Sequence, residues 1–101
     1  MMEGVVPGVL FVLHRRSLTP AVRLLDADAG AARPYVMGEV WEVDANCLRR
    51  LDRLEGHPRA YVRVKVPVWG GMAWIYTWPW AVRGVEIVEG GDWLEYVKTK
   101  V

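Results

Sequence analysis

Glu55 is the side chain best placed for proton chemistry, because its position sets a carboxylate on the apolar side of a helix. The stretch Val43-Asp44-Ala45-Asn46-Cys47-Leu48-Arg49-Arg50-Leu51-Asp52-Arg53-Leu54-Glu55-Gly56-His57-Pro58 carries both ends of that helix in its text. Asp44 is a natural N-cap, Val43 and Leu48 form a hydrophobic staple, and Gly56 followed by Pro58 stops the helix. At about 100° per residue, Leu48, Leu51 and Leu54 mark one face, with Glu55 roughly 40° from its centre and Asp52 about 100° away. Arg49, Arg50 and Arg53 turn further outward. A carboxyl held against apolar packing loses hydration of its charged form, which raises its pKa toward the range useful for acid and base catalysis. Two readings stand: a working carboxylate, or a last-turn Glu that answers Arg53, Arg59 or Arg63.

Other chemistries find less support. His14 and His57 are the only histidines and are not spaced with Cys47 as metal ligands, so no metal site is expected. Ser17 lacks the context of an activated nucleophile, and no Gly-rich phosphate loop ending in Lys-Ser/Thr occurs. Arg15-Arg16 reads as a solvated turn. Glu39 and Glu42 alternate across their strand, so at most one shares a cavity with Glu55; Glu39 is the second candidate, with a structural hydrogen-bonding role as its alternative.

The elements that must position Glu55 read mostly as strands. Val9 to Leu13 is a continuous apolar run, as in a strand buried on both faces or set in a small closed barrel. Pro20 to Leu25 reads as a short strand or turn, and Asp26 to Pro34 as a loop of small residues. Val62, Val64, Val66 and Val68 alternate with Arg63, Lys65 and Pro67, a half-buried strand whose Pro marks an edge or a bulge. Gly70-Gly71 then predicts a tight turn into Met72 to Trp78, with Met72, Trp74, Tyr76 and Trp78 on one face and the Val68 and Met72 sides paired. Asp92 caps a last short helix from Trp93 to Lys98. Trp41 and Trp74 are read as large rings filling a small core, while Trp78 and Trp80 around Pro79 read either as core or as a surface for a partner.

Composition bounds the possibilities. A chain of 101 residues that is 52% hydrophobic builds one modest core, so residues 1–101 form a single domain. A formal net charge of +1 gives no electrostatic case for nucleic acid or an anionic membrane. Val5 to Leu13 is too short to span a bilayer and lacks the flanks of a signal peptide. Cys47 alone excludes an internal disulfide and reads as a small core residue, and a cytoplasmic setting is the default. The chain has no Gln, one Asn and one Ser, a scarcity of labile polar residues that fits a thermophilic source or GC-rich coding.

The run Val36-Met37-Gly38-Glu39-Val40-Trp41-Glu42-Val43-Asp44, then Leu51-Asp52-Arg53-Leu54-Glu55-Gly56, then Tyr61-Val62-Arg63, resembles the γ-glutamylcyclotransferase-like family, which includes the AIG2-like proteins. The family pattern reads V-x-G-E-V-Y/W-x-V-D, L-D-x-L/F-E and Y-x-R. Ala73-Trp74-Ile75-Tyr76 is similar to its late A-W-x-Y strand, and Gly91-Asp92-Trp93 to its G-D-W stretch. Upstream, Pro7-Gly8-Val9-Leu10-Phe11-Val12 and Pro20-Ala21-Val22 resemble its second strand and Y-P-A segment, with Thr19 where an aromatic is usual. The resemblance implies that Glu55 is the catalytic acid/base and that Tyr61 lines the substrate cavity. The implied reaction is attack of the α-amino group of a γ-glutamyl unit on its own γ-carbonyl, releasing an amine or peptide and 5-oxoproline, with no metal or organic cofactor. The family's opening strand, ending in Tyr-Gly-Thr-Leu and holding the substrate by backbone N–H groups, has no counterpart in Met1 to Pro7 or elsewhere. A truncated frame, a displaced start codon and a shortened relative would each leave this pattern.

The expected fold is therefore α+β: a small, mostly antiparallel, barrel-like sheet with its first strand missing and the helix from Asp44 to Glu55 beside its opening. The implied partner is a small γ-glutamyl compound, and the alternative is an inactive, shortened relative that serves as a binding or assembly module. Because Pro67 and Lys65 protect one strand while Val9 to Leu13 carries no such protection, a homodimer is expected. Its interface would use that strand or Trp78-Pro79-Trp80 and bury at least about 1,000 Å².

Overall fold

The computed structural model describes residues 2–14, 18–25 and 34–99. The expected Asp26 to Pro34 loop, apart from Pro34, lies outside the described residues, as do Arg15, Arg16 and Ser17. The fold is α+β, with antiparallel sheets and one main helix. Its order is β1 (Met2–His14), β2 (Thr19–Leu24), β3 (Tyr35–Val40), α1 (Ala45–Glu55), β4 (Val62–Val68), β5 (Gly71–Thr77), β6 (Glu86–Ile87) and α2 (Trp93–Lys98).

β1 organises the larger sheet by changing partners along its length. Met2 to Pro7 pairs with β3, and Gly8 to His14 pairs with β2. The change falls at Pro7, which has no N–H to give a ladder. There Gly8 N–H donates to Pro34 O and Leu25 N–H donates to Pro7 O. β6 pairs with β1 at Phe11 and Val12. Because β2 spans the same two residues, β2 and β6 lie on opposite edges of β1. The apolar run Val9 to Leu13 is therefore a central strand, which corrects the expectation that it presents an unprotected edge.

Alternation along β1 sends Val6, Leu10 and Val12 into a core completed by Val36, Val66 and Val88. Ile75, Trp93 and Tyr96 pack against it. Val66 reaches this cluster because β4 and β5 form a separate two-stranded sheet laid over the larger one.

The β4–β5 hairpin turns one residue earlier than its sequence suggests. Val68 faces Gly71 and Pro67 faces Met72, so Trp69 and Gly70 make the turn, with Gly70 at a positive φ of 89°. A shift of one residue sends each side chain of a strand to the opposite face. Met72, Trp74 and Tyr76 therefore share the outer face with Pro67, Lys65 and Arg63, and Val64 and Val66 face inward with Ile75 and Ala73. Trp74 is 46% exposed, with the Arg63 guanidinium 4.2 Å from its ring centroid, and Trp41 is 64% exposed. Neither ring fills the core, contrary to expectation. Valines do that instead.

α1 begins and ends where its caps require. The Asp44 carboxylate accepts the Cys47 N–H at 2.7 Å, and Gly56 closes the helix in the left-handed conformation at φ 69°. The inward face differs from the leucine stripe: Leu48, Leu51, Asp52 and Glu55 are half-buried, whereas Leu54 is 78% exposed. Among the described residues no helix is long and apolar enough to cross a membrane.

Candidate functional site

The last turn of α1, the connection to β4 and the first residues of β2 meet around a concavity of about 320 Å³ lined by Pro20, Ala21, Val22, Glu55, Tyr61 and Tyr76, with Thr19 at its edge. Glu55 reaches it because the half-buried face of α1 points this way at its C-terminal end. Gly56 then reverses the chain, its carbonyl accepting the N–H groups of Arg59 and Ala60, and Tyr61 N–H returns to Glu55 O at 3.1 Å. This local turn fixes Tyr61 beside Glu55, six residues after it.

Both phenols at the cavity have their protons directed away from Glu55. The Tyr61 hydroxyl donates to Pro20 O at 2.7 Å, and the Tyr61 ring stands edge-on to Trp78 at 5.3 Å. The Tyr76 hydroxyl donates to Asp52 Oδ1 at 2.6 Å. A hydroxyl that has given its proton to a fixed acceptor still has oxygen lone pairs with which to accept from a ligand. Loss of hydration, and secondarily the Glu55 charge, pushes the Tyr61 hydroxyl above its ordinary pKa of 10.0. Burial and then the Asp52 hydrogen bond and charge push Tyr76 further in the same direction. Both therefore stay protonated at neutral pH.

Asp52, read from the sequence as turned away from the apolar face, is instead a junction. Its carboxylate accepts from Tyr76 and from Arg63 Nη2 at 3.0 Å, and Arg63 Nε lies 2.9 Å from Oδ1 in the ion pair without the alignment of a hydrogen bond. The rival reading of Glu55 as an ion-pair partner of Arg63 fails here, because the Arg63 fork is taken up by Asp52 and by the face of Trp74. Glu55 enters neither of the ion pairs found among the described residues. The sequence reading missed Asp52, Arg63 and Tyr76 as a group. The signal available was the hairpin register, which sets Arg63 opposite Tyr76.

The Tyr76 hydrogen bond, aided by Arg63, holds the Asp52 carboxyl below its ordinary value of 3.8 despite partial desolvation. A depressed folded pKa stabilises the fold above the unfolded value, and that contribution is lost as pH falls through the folded value. The wild type is expected to lose more stability than Asp52→Asn on acidification from about pH 4 to pH 2, and to be the more stable of the two near pH 7. Urea titrations at each pH check this. Parallel curves for the two proteins would remove Asp52 as the source.

Glu39 is not brought to this site. It pairs with Glu3 across β1 and β3 and borders other concavities, one of which shares Tyr76 with the Glu55 concavity. His57 Nδ1 accepts the Arg63 N–H at 3.1 Å, and Cys47 is half-buried on α1. Among the described residues no three His, Cys, Asp or Glu side chains gather as a metal site.

Comparison with known proteins follows the same segments. A family model described as "Gamma-glutamyl cyclotransferase, AIG2-like" matches residues 2–95. A Methanocaldococcus jannaschii protein, named provisionally as a gamma-glutamylcyclotransferase, is 43% identical over 67 residues, covering 61% of this chain and 54% of its own. The gamma-glutamylcyclotransferase family protein YtfP of Escherichia coli is 37% identical over 60 residues, covering 59% and 53%. The chain thus matches about half the length of these curated relatives. The solution structure of YtfP superposes with a TM-score of 0.69 at 26% identity, covering 93% of this chain and 74% of that one. A Pyrococcus horikoshii crystal structure superposes at 0.74 over 99% of this chain and 75% of that one, at 21% identity, and supports the fold alone.

Proposed function

Because the chain belongs to the gamma-glutamyl cyclotransferase, AIG2-like family, we propose that it cyclises a small γ-glutamyl amine or peptide to 5-oxoproline, with Glu55 as acid and base. The observation that carries this reading is the concavity shared by Glu55 and Tyr61, with Arg63 engaged by Asp52 rather than by Glu55. The α-ammonium of the γ-glutamyl unit gives a proton to the Glu55 carboxylate and becomes a nucleophile. Its nitrogen attacks the γ-carbonyl carbon, the new C–N bond closes the five-membered ring, and the bond to the departing amine breaks. Glu55 returns the proton to that leaving nitrogen, and the second proton still on the ring nitrogen passes to the released amine, which departs as its ammonium. The phenol oxygens of Tyr61 and Tyr76, which line the same concavity, would accept from the ammonium and hold it near the carboxylate. No step calls for a metal or organic cofactor.

A panel of γ-glutamyl amines and dipeptides, assayed for 5-oxoproline by chromatography and mass spectrometry, tests the reading. Product from at least one member is expected, and no product from any member would overturn it. The second reading, a binding or assembly module, is favoured by the exposed rings of Trp41 and Trp69. A cytoplasmic setting is proposed on the single cysteine, and a thermophilic source on the scarcity of amide residues.

A further inference from the structure

We propose that two copies of this chain join edge to edge through β5, burying Trp41, Trp69, Met72 and Trp74 between them. β5, Gly71-Met72-Ala73-Trp74-Ile75-Tyr76-Thr77, contains no charge and no proline. Its neighbour β4 carries Lys65 and Pro67, residues with which natural proteins blunt a free edge. Among the described residues β5 forms a ladder with β4 alone, and its far end meets β2 where Trp78 N–H donates to Val22 O, so the other edge of its first half offers N–H and C=O groups to a further strand. A two-stranded sheet is weak by itself and gains from a third and fourth strand.

The side chains beside that edge are those a partner would cover. Trp69 is 87% exposed and Met72 57%, and both border a concavity of about 520 Å³ that also takes in Trp41, Trp74 and the half-buried Leu48 and Leu51 of α1. Exposed apolar groupings of this kind on a small protein mark association surfaces.

Charge identifies the occupant as a second copy. Glu39 and Glu42 stand on one wall of the concavity, and Lys65 lies by the other, its ammonium 5.4 Å from the Trp74 ring centroid. A two-fold interface sets each wall against its opposite in the partner, so the acids of one copy meet Lys65 of the other. An anionic membrane would instead require a cationic rim, which Glu39 and Glu42 deny it.

Light scattering on the 101-residue chain across a concentration series tests the proposal. The expected mass is twice 11.5 kDa. Trp69→Ser, at a side chain too exposed to support the fold, should weaken the dimer by about 10-fold or more with an unchanged circular dichroism spectrum. Lys65→Glu should weaken it as well, and Lys65→Glu combined with Glu42→Lys should restore it. A monomer at millimolar concentration would overturn the proposal. So would a dimer indifferent to Trp69→Ser, or one that dissociates with Trp80→Ser alone.

Discussion

Glu55→Gln is expected to reduce 5-oxoproline formation by about 100-fold or more, the scale of a lost general acid/base. The amide keeps the size and much of the hydrogen-bonding shape of the acid but cannot take the ammonium proton. The loss should therefore fall on turnover and leave substrate affinity nearly unchanged. The fold should survive, because Glu55 is half-exposed and forms neither of the ion pairs found among the described residues. The variant should even melt at the same or a slightly higher temperature. Glu55 is the last residue of α1, where the carbonyl end of the helix disfavours an acid by roughly 0.3–1 kcal/mol. An acid kept where the backbone resists it is a local conflict of the kind found at functional sites. Turnover by the Gln variant equal to wild type would remove Glu55 from the chemistry and leave the module reading. Tyr61→Phe, which removes one phenol oxygen from the cavity, should cost activity less, about 10-fold.

What was legible in the sequence depended on how local its cause was. Both ends of α1 were readable because Asp44, Gly56 and Pro58 act within a turn of where they stand. Asp92 fixed the start of α2 in the same way. The rotation of α1 was not readable. Three leucines suggested the inward stripe, but Asp52 is drawn inward by Arg63 and Tyr76, partners 11 and 24 residues further on, and Leu54 turns out. The placement of the tryptophans failed by a single residue of hairpin register. Setting Val68 opposite Met72 put Trp74 with the inward valines, whereas the observed pairing of Val68 with Gly71 sets it beside Lys65. Charge alternation in β4 held the correction, since the residue opposite Lys65 must share its solvent-facing side. Tyr61 was joined to Glu55 by the family resemblance, and in the fold a short reversal holds the two side by side. Tyr76 arrives from another strand, and only the pairing of β4 with β5 brings it in.

Gly91→Ala is expected to be the most damaging single substitution for stability, lowering it by about 3 kcal/mol or more and the melting temperature by about 12 °C or more. Gly91 opens the Gly91-Asp92-Trp93 stretch and sits at φ 66°, where an L side chain is strained by about 1 kcal/mol. Space decides the rest. A Cβ at Gly91 would lie 1.8 Å from Tyr35 O and 3.0 Å from its carbonyl carbon, a backbone group that cannot swing aside. The approach is this close because Met37 N–H donates to Gly91 O at 2.8 Å, holding the segment before α2 against β3. Relieving the clash would break that bond and move Asp92, which caps α2 and bridges to Met37. Trp93 would then lose its seat against the core cluster. Gly90→Ala is the control, since a Cβ there meets nothing within 4 Å and φ is not in the left-handed region. It should be neutral or stabilise by up to about 0.5 kcal/mol, by restricting the unfolded chain. Thermal and urea unfolding of the two variants separates the causes. Equal losses at both positions would show that Gly91 is required for chain flexibility, and not for the contact with Tyr35.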